Sequence, residues 1–570
     1  MSKKRTNKKT WKPVTNACLQ LPADKRVKTE LLINQLLARC DWEGASVLLE
    51  AYMDQYGDDV SYDHLNVFGD ILQKAKKLEA AHAVFTRAIK LDGSRYEAPE
   101  GLFWLYFEMG DKQCDTVLRR LLEDGPESRR IDYLYWGALR ANNIHEHAQV
   151  LDLVEQAGGL PDPSYERFSE VSYAYLNALC ASDRAQEALD RLEAISLASR
   201  HGNKNFELIG GIILRTLGRT QDAIEHYTQV LTRMPDLPEA RWNRGLARLE
   251  LGDLGGWQDY EIRWQWEGFP SKLKKMSARM WNGESLDGKK ILLWGEQGLG
   301  DQVLFLTLAL PIIKANNAQV TIEVLPKLIG LVKTWYPEAE VRALNTFDCI
   351  GDPDYDDYDY QLPVGSLPVH FMNTQASIRQ RPIRFLRPNL DFRRSFIERF
   401  NISPDQTLLG VCWRSSNIEK SRVLGYLNVQ FVVSLANELP DNVTLVTLQY
   451  GITPEERAVL DACRNVVIPD VDFFEDVSAH AMHIGICDLV VAPRTLTLQL
   501  AGLFGRNTLS WGIDGWSFLG ERQYPWYPTI ASLALEKNFS HSSLVYALKK
   551  WVDVALEHLY SQSDRVANDS

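Results

Sequence analysis

The sequence predicts an α plus α/β protein, an amino-terminal helical solenoid followed by two doubly wound, Rossmann-like lobes. Three features carry that expectation. In the first half, small and aromatic residues recur with a period of 34 residues. Past Trp264 and Trp266 the pattern changes to short β-rich runs alternating with helical ones. The extended stretch RQRPIRFLRP, Arg379 to Pro388, then divides that second region, as X-Pro segments suit linkers. The expected divisions are a basic tail at 1–27, repeats at 28–270, a first lobe at 285–390 and a second at 400–560.

Bulk properties narrow the function classes. At 570 residues the chain exceeds one core, and one domain per ~150 residues implies roughly three or four. Hydrophobic content of 45% and charged content of 24% are ordinary for a globular chain. A formal net charge of −12 argues against nucleic acid as a partner, because phosphate binding needs a basic surface. The cluster Lys3, Lys4, Arg5, Lys8, Lys9 and Lys12 reads as a solvated, disordered tail. No apolar stretch follows it, so it does not read as a secretory signal. Val303 to Ile313 is the most apolar segment and is too short for a membrane span; it reads as a buried helix. Cysteines 18, 40, 114, 180, 349, 412, 463 and 487 form no C-x-x-C pair and join no histidine cluster. Scattered thiols fit a reducing compartment, so the expectation is a cytoplasmic protein without a metal site.

The helical array is clearest from Phe206, in FELIGGIILRTLGRTQDAIEHYTQVLTRMPDLPEA. Gly211, Gly218, Ala223, Tyr227 and Pro235 fall where a tetratricopeptide repeat places small, small, small, aromatic and proline. Small residues let two helices approach, the aromatic fills the space beside them, and the proline ends the second helix. Gly245 and Gly252 repeat Gly211 and Gly218 at a spacing of 34. Earlier, Gly69, Ala81, Phe85 and Ala88 repeat the pattern, with Gly93 in the place of the proline. Ala45 with Leu49, and Ala188 with Leu192, mark further helix pairs, while residues 100–175 are helical but fit the consensus poorly. Stacked units create a concave face suited to an extended peptide or partner surface; the alternative is a spacer or dimerisation device.

The strand expectations are KILLW at 290–294, VTIEV at 320–324, YDYQL at 358–362, TLLGVCW at 407–413, VTLVTL at 443–448, NVVIP at 465–469 and DLVVA at 488–492. Two doubly wound lobes form a ligand cleft between the carboxyl ends of their strands. The run GDPDYDDYDY at 351–360 has no second carboxylate cluster and reads as a solvated acidic loop.

Five stretches carry candidate chemistry. In LLWGEQGLGDQVLF a strand meets Gly295, Gly298 and Gly300 and then a helix whose amino terminus offers N–H groups to an anion or sugar hydroxyl. Glu296, Gln297 and Asp301 add polar groups there. The spacing is neither a Walker motif nor a full dinucleotide fingerprint, and a purely structural turn is the competing reading. In GVCWRSSNIEKSR, Trp413, Arg414, Ser415 and Ser416 follow a strand, with Lys420 and Arg422 adding positive charge; arginine suits bidentate phosphate contact. LQYG places Gln449 and Tyr450 at another strand end. In VVAPRTLTLQLAGLFG, Pro493, Arg494 and Thr495 lead into a helix amino terminus. SWGIDGWSFLGERQYPWYPT is an aromatic loop that stacks a base or sugar ring, or else seals a hinge.

In this order the five stretches resemble the bacterial glycosyltransferases in which tetratricopeptide repeats precede a GT-B fold related to the heptosyltransferases of lipopolysaccharide synthesis. W-G-E-Q-G-L-G-D at 294–301 and GGWQDYEIRW at 255–264 carry much of the likeness, which spans about 205 to 530. C-W-R-S-S at 412–416, L-Q-Y at 448–450, A-P-R-T at 492–495 and Y-P-W-Y-P at 524–528 look closest to flagellin glycosyltransferases. The resemblance implies an inverting, metal-independent enzyme without a cofactor. It would attach a CMP-activated nonulosonic acid, such as pseudaminic or legionaminic acid, to serine or threonine of flagellin held by the repeats. It implies a general-base role for Asp301, which matches the heptosyltransferase catalytic aspartate. Where the heptosyltransferase-like pattern has Asp-Thr and then a histidine, this chain has Arg494-Thr495 and Gln499. An ADP-heptose donor is therefore disfavoured, and Arg494 suits an anionic donor or marks a decayed site. Two other readings stay open: a repeat-based adaptor without catalysis, and a transferase acting on a cell-surface glycan.

Overall fold

The computed structural model describes residues 41–56, 60–415, 426–512, 515–521, 523–534 and 541–568, with isolated positions before 41. The basic tail, Cys18, Cys40, Ser416, Lys420 and Arg422 lie outside the described residues. The chain forms two units, Met1–Ala178 and Leu179–Ser570.

The first unit is built of helical hairpins. Tyr62–Lys74 packs on Leu78–Leu91, Glu97–Met109 on Gln113–Asp124, and Arg130–Asn143 on His147–Gln156. Gly69 and Gly101 flank Phe85: a Cβ added to either would lie 2.3 or 2.4 Å from its ring. The poorly matching segment from 100 onward therefore continues the same stacking. In the second unit Lys204–Thr216 packs on Thr220–Arg233, and Pro238–Glu250 on the short helix Gly256–Tyr260. Gly211 sits under the Tyr227 ring, at 2.2 Å from a built Cβ.

A periodicity hidden in the sequence is plain in the backbone. Lys76, Gly110, His145, Asp183, Gly218 and Gly252 each end a helix with positive φ. At each, the next residue's N–H reaches back five residues, as from Lys77 to Leu72, Glu146 to Ala141 and Arg219 to Leu214. Only three of the six are glycine.

The α/β region holds two all-parallel sheets. In the first lobe β1 (Arg279–Met280), β2 (Lys290–Trp294), β3 (Gln319–Val324), β4 (Glu340–Ala343) and β5 (Tyr360–Pro363) are ordered β1-β5-β2-β3-β4. In the second, β6 (Thr407–Val411), β7 (Val443–Thr447), β8 (Val466–Val467), β9 (Leu489–Pro493), β10 (Asn507–Gly512) and β11 (Ile530–Ala534) are ordered β11-β10-β9-β6-β7-β8. Tandem lobes of this kind constitute the GT-B fold. The winding reverses between β2 and β5, and again between β6 and β9, which opens a crevice at each pair's carboxyl ends. Residues 381–389 connect the lobes without regular secondary structure. Leu544, Val545, Leu548 and Val552 of the last helix, His541–Asn568, pack into the second lobe's core. The acidic loop is partly structural: Asp359 accepts the Lys290 N–H at 2.9 Å and pairs with Lys289, and Asp357 pairs with Lys290. No helix among the described residues is long and apolar enough to cross a membrane.

Gly211→Ala tests the repeat packing. Helix propensity favours alanine by about 1 kcal/mol, and overpacking against Tyr227 costs about 1–3 kcal/mol. The expected result is a lower urea midpoint; a raised midpoint contradicts the packing account.

Candidate functional site

The glycine turn begins where β2 leaves the sheet. Gly295 N–H donates to Glu323 O at 2.7 Å, and a Cβ on Gly295 would meet the buried Gln302 side chain at 2.4 Å. Gln297 takes a left-handed conformation, φ 60°, before the helix Leu299–Leu306. Asp301 stands in that helix's first turn and its Oδ2 accepts the Gly298 N–H at 3.2 Å. The contact closes a helix cap, and a carboxylate there also offsets the positive end of the helix dipole.

At the second lobe's crevice Gln449 pins two strand ends together. Its Oε1 accepts from Trp413 N and Arg414 N, both at 3.0 Å, and its Nε2 donates to Arg414 O and Tyr450 O. Arg414 donates to Glu456 at 2.6 Å and to Gly451 O at 2.8 Å. Burial pushes the Glu456 carboxyl up, but the hydrogen bonds from Arg414 and Thr453 outweigh it and hold the group below its ordinary value. Tyr450 donates to Ser415 Oγ at 3.3 Å. β9 ends at Pro493, and Thr495 then stands at the N-cap position of the helix Leu496–Leu503, its side chain making no cap hydrogen bond. Arg494 lies over the Phe518 ring at 4.1 Å and donates to Ser532 at 3.2 Å. Gln499 donates to Tyr524 Oη at 3.0 Å.

A cavity of about 540 Å³ joins the two lobes' strand ends. From the first lobe it takes Gly298, Gly300 and Asp301; from the second, Ser415, Tyr450, Pro493, Arg494 and Thr495. Glu296, Gln297, Trp413, Arg414 and Gln449 do not line it. Glu296 is held by Arg263, Gln297 by Tyr260 and Arg414 by Glu456, and Trp413 and Gln449 are buried in the strand-end staple. The aromatic loop contributes Trp511, Trp516 and Tyr524. Sequence reading missed Tyr426, and it missed Phe473 and Phe474 from the loop after β8. The signal was an aromatic pair beyond a strand end in NVVIPDVDFF.

The two helices whose first turns border the cavity also meet each other. A Cβ on Gly300 would lie 3.8 Å from Leu496 N and Cα. Two positive helix ends converge on one space, an arrangement that favours an anion between them. No cluster of His, Cys, Asp and Glu suited to a metal ion occurs among the described residues.

The first unit holds a groove of about 690 Å³, bordered by Trp42, Trp104 and Trp136. Arg167 stacks on Trp104 at 3.8 Å and Lys74 on Trp42 at 4.5 Å.

No family model matches the chain. It is 24% identical over 415 residues to protein FlbA of Caulobacter vibrioides, covering 63% of this chain and 68% of that protein. Among solved structures, E. coli ADP-heptose lipopolysaccharide heptosyltransferase II matches 47% of this chain and 99% of its own, at 12% identity and a TM-score of 0.35. A tetratricopeptide repeat protein from Parabacteroides merdae matches 41% of this chain and 90% of its own, at 14% identity and a TM-score of 0.36.

His480 lies beneath the cavity wall, stacked on Phe473 at 4.8 Å and 6.1 Å from Tyr450. Burial pulls its pKa from 6.5 down to about 3. Between those values the unfolded chain binds the proton and the native chain does not, so stability falls as pH drops through the window. By pH 5 the loss from this group is about 2 kcal/mol. Urea midpoints at pH 7.5 and 5.0 should therefore diverge less in His480→Phe than in the wild type; equal divergence contradicts the assignment.

Proposed function

We propose that the chain is a protein O-glycosyltransferase that moves a nucleotide-activated sugar, a CMP-nonulosonic acid, onto serine or threonine of flagellin bound by the helical repeats. The observation that carries this reading is the single cavity shared by Asp301 of one lobe and Arg494 and Thr495 of the other. A donor and an acceptor can meet there with a carboxylate on one side and positive charge on the other.

In the proposed reaction Asp301 takes the proton of the acceptor hydroxyl. The oxygen attacks the anomeric carbon, and the bond from that carbon to the nucleotide phosphate breaks with its electron pair passing to the phosphate. A single displacement inverts the anomeric centre. Negative charge growing on the phosphate meets the Leu496–Leu503 amino terminus and Arg494, groups fixed before the reaction begins. Arg494 standing where the heptosyltransferase-like pattern has an acid supports a donor that carries a carboxylate as well as a phosphate. The aromatic wall of Trp511, Trp516 and Tyr524 supports stacking of a base or sugar face. Metal independence belongs to the same proposal, with the fixed positive groups in the role a cation takes elsewhere. The groove of about 690 Å³ on the helical repeats of the first unit supports a protein acceptor, because stacked repeats create extended binding surfaces.

Asp301→Ala should lower kcat by about 10²–10⁴-fold while acceptor binding, followed by calorimetry, stays within error. Retained full transfer would sink the role of Asp301. Arg494→Ala should raise KM for a CMP-linked donor more than tenfold, roughly the worth of one charge-assisted hydrogen bond. If the wild type binds the acceptor tightly and no nucleotide at all, the chain is an adaptor.

A further inference from the structure

We infer that Arg263, on the segment that ends the repeats, is a positioning residue for the turn carrying Asp301. The inference rests on the reading of Asp301 as the reacting carboxylate.

Arg263 belongs to the short turn Glu261–Gln265 that follows the last repeat helix, and its side chain is fully buried. Its Nε donates to Glu296 Oε1 at 3.0 Å and its Nη2 to Glu296 Oε2 at 3.1 Å. Nη2 also donates to Ser366 Oγ at 2.8 Å, and Nη1 to Glu261 Oε1 at 2.8 Å. Ser366 in turn donates to Glu261 Oε2 at 2.8 Å, which closes the network. Burial works against the guanidinium charge, but Glu296 and Glu261 outweigh it and hold its pKa above the ordinary value. The next turn residue is gripped from the same direction: Gln297 Nε2 donates to Tyr260 Oη at 2.6 Å, and Gln297 N–H to Ser271 Oγ at 2.8 Å.

These contacts have a strained conformation to hold. Gln297 is a non-glycine residue at φ 60°, a state that persists only when its surroundings over-determine it. Gly365 makes room for the pair, since a Cβ there would lie 1.9 Å from Glu296 Oε1. Neither Arg263 nor Glu296 borders the cavity, so neither touches a substrate in it. A buried ion pair is also a poor source of stability, because well-packed apolar residues often replace it without loss. What the pair contributes is orientation. A bidentate fork fixes the Glu296 carboxylate in one plane, and the backbone that follows, through Gln297 and Gly298, delivers Asp301 to the cavity. The last turn of the repeats and the Asp301 turn then behave as one rigid piece.

The test compares the full-length wild type with Arg263→Lys and with the double variant Arg263→Met/Glu296→Met. It measures urea midpoint, hydrogen exchange of the 295–301 amides, and kcat and KM with a CMP-nonulosonate. The double variant should keep a cooperative urea transition, exchange those amides at least about tenfold faster, and lose roughly 10–100-fold in kcat with KM little changed. Arg263→Lys, with one compact charge in place of the fork, should fall between. Wild-type exchange and kcat in folded variants would overturn the inference. If the double variant does not fold, Arg263→Lys alone decides, and unchanged exchange there overturns it too. A wild type without transfer activity would defeat the proposed reaction instead, and the exchange measurement would still decide the positioning role.

Discussion

Two helix amino termini meet face to face in the carboxy-terminal unit, and much of its architecture serves to keep them there. Helices Leu299–Leu306 and Leu496–Leu503 each follow the carboxyl end of a buried parallel strand, and their first turns lie side by side at Gly300 and Leu496. Each end carries roughly half a positive charge. Their approach is unfavourable unless negative charge lies between them or beside them. Asp301 supplies part of that charge through its own helix cap. An anionic ligand in the cavity would supply the rest, the part that the proposed nucleotide-sugar donor takes.

The surroundings of the crevice are rigid for reasons that can be named. On one side Gln449 uses both ends of its amide to pin β6 to β7. On the other, the segment that closes the repeats runs beneath the glycine turn. There Trp257 meets Phe305, Trp516 and Trp526 edge-on, at 6.5, 5.9 and 6.4 Å. Gly252 backs directly onto Leu519 and Gly520 of the aromatic loop. The last repeat thus touches both lobes, and it packs into the α/β region as well as ending the helical array.

The fold was largely legible in the sequence, and the losses have physical reasons. Repeats with Gly211, Gly218, Gly245 and Gly252 announce themselves, because close helix approach and left-handed helix ends both select glycine. Residues 100–175 fit the consensus poorly, in part because His145 adopts the left-handed end without glycine, as Lys76 and Asp183 do on either side. The seven strand runs correspond to β2, β3 and β5 to β9, and all but the half-buried β8 have buried central residues. β1, β4 and β11 lie at sheet edges and were missed, as was β10, where Thr508 and Ser510 are buried polar residues in a polar-looking run. Strand-end position picked out several residues that line the cavity, among them Asp301, Ser415 and Thr495, but not the direction of each side chain. Glu296 and Arg414 are polar groups at the correct strand ends whose partners, Arg263 and Glu456, are 33 and 42 residues away. Phe473 and Phe474 were missed for the opposite reason, since an aromatic pair after a short strand looks like ordinary core.

Intact-mass measurement of a flagellin tests the central claim most directly. The protein is incubated with this chain and a CMP-nonulosonate, and its mass is compared with that of flagellin incubated without the chain. The account predicts a ladder of whole nonulosonate increments, mapping to serine or threonine. An unmodified flagellin, bound by the chain yet unchanged in mass with donor present in excess, would contradict it.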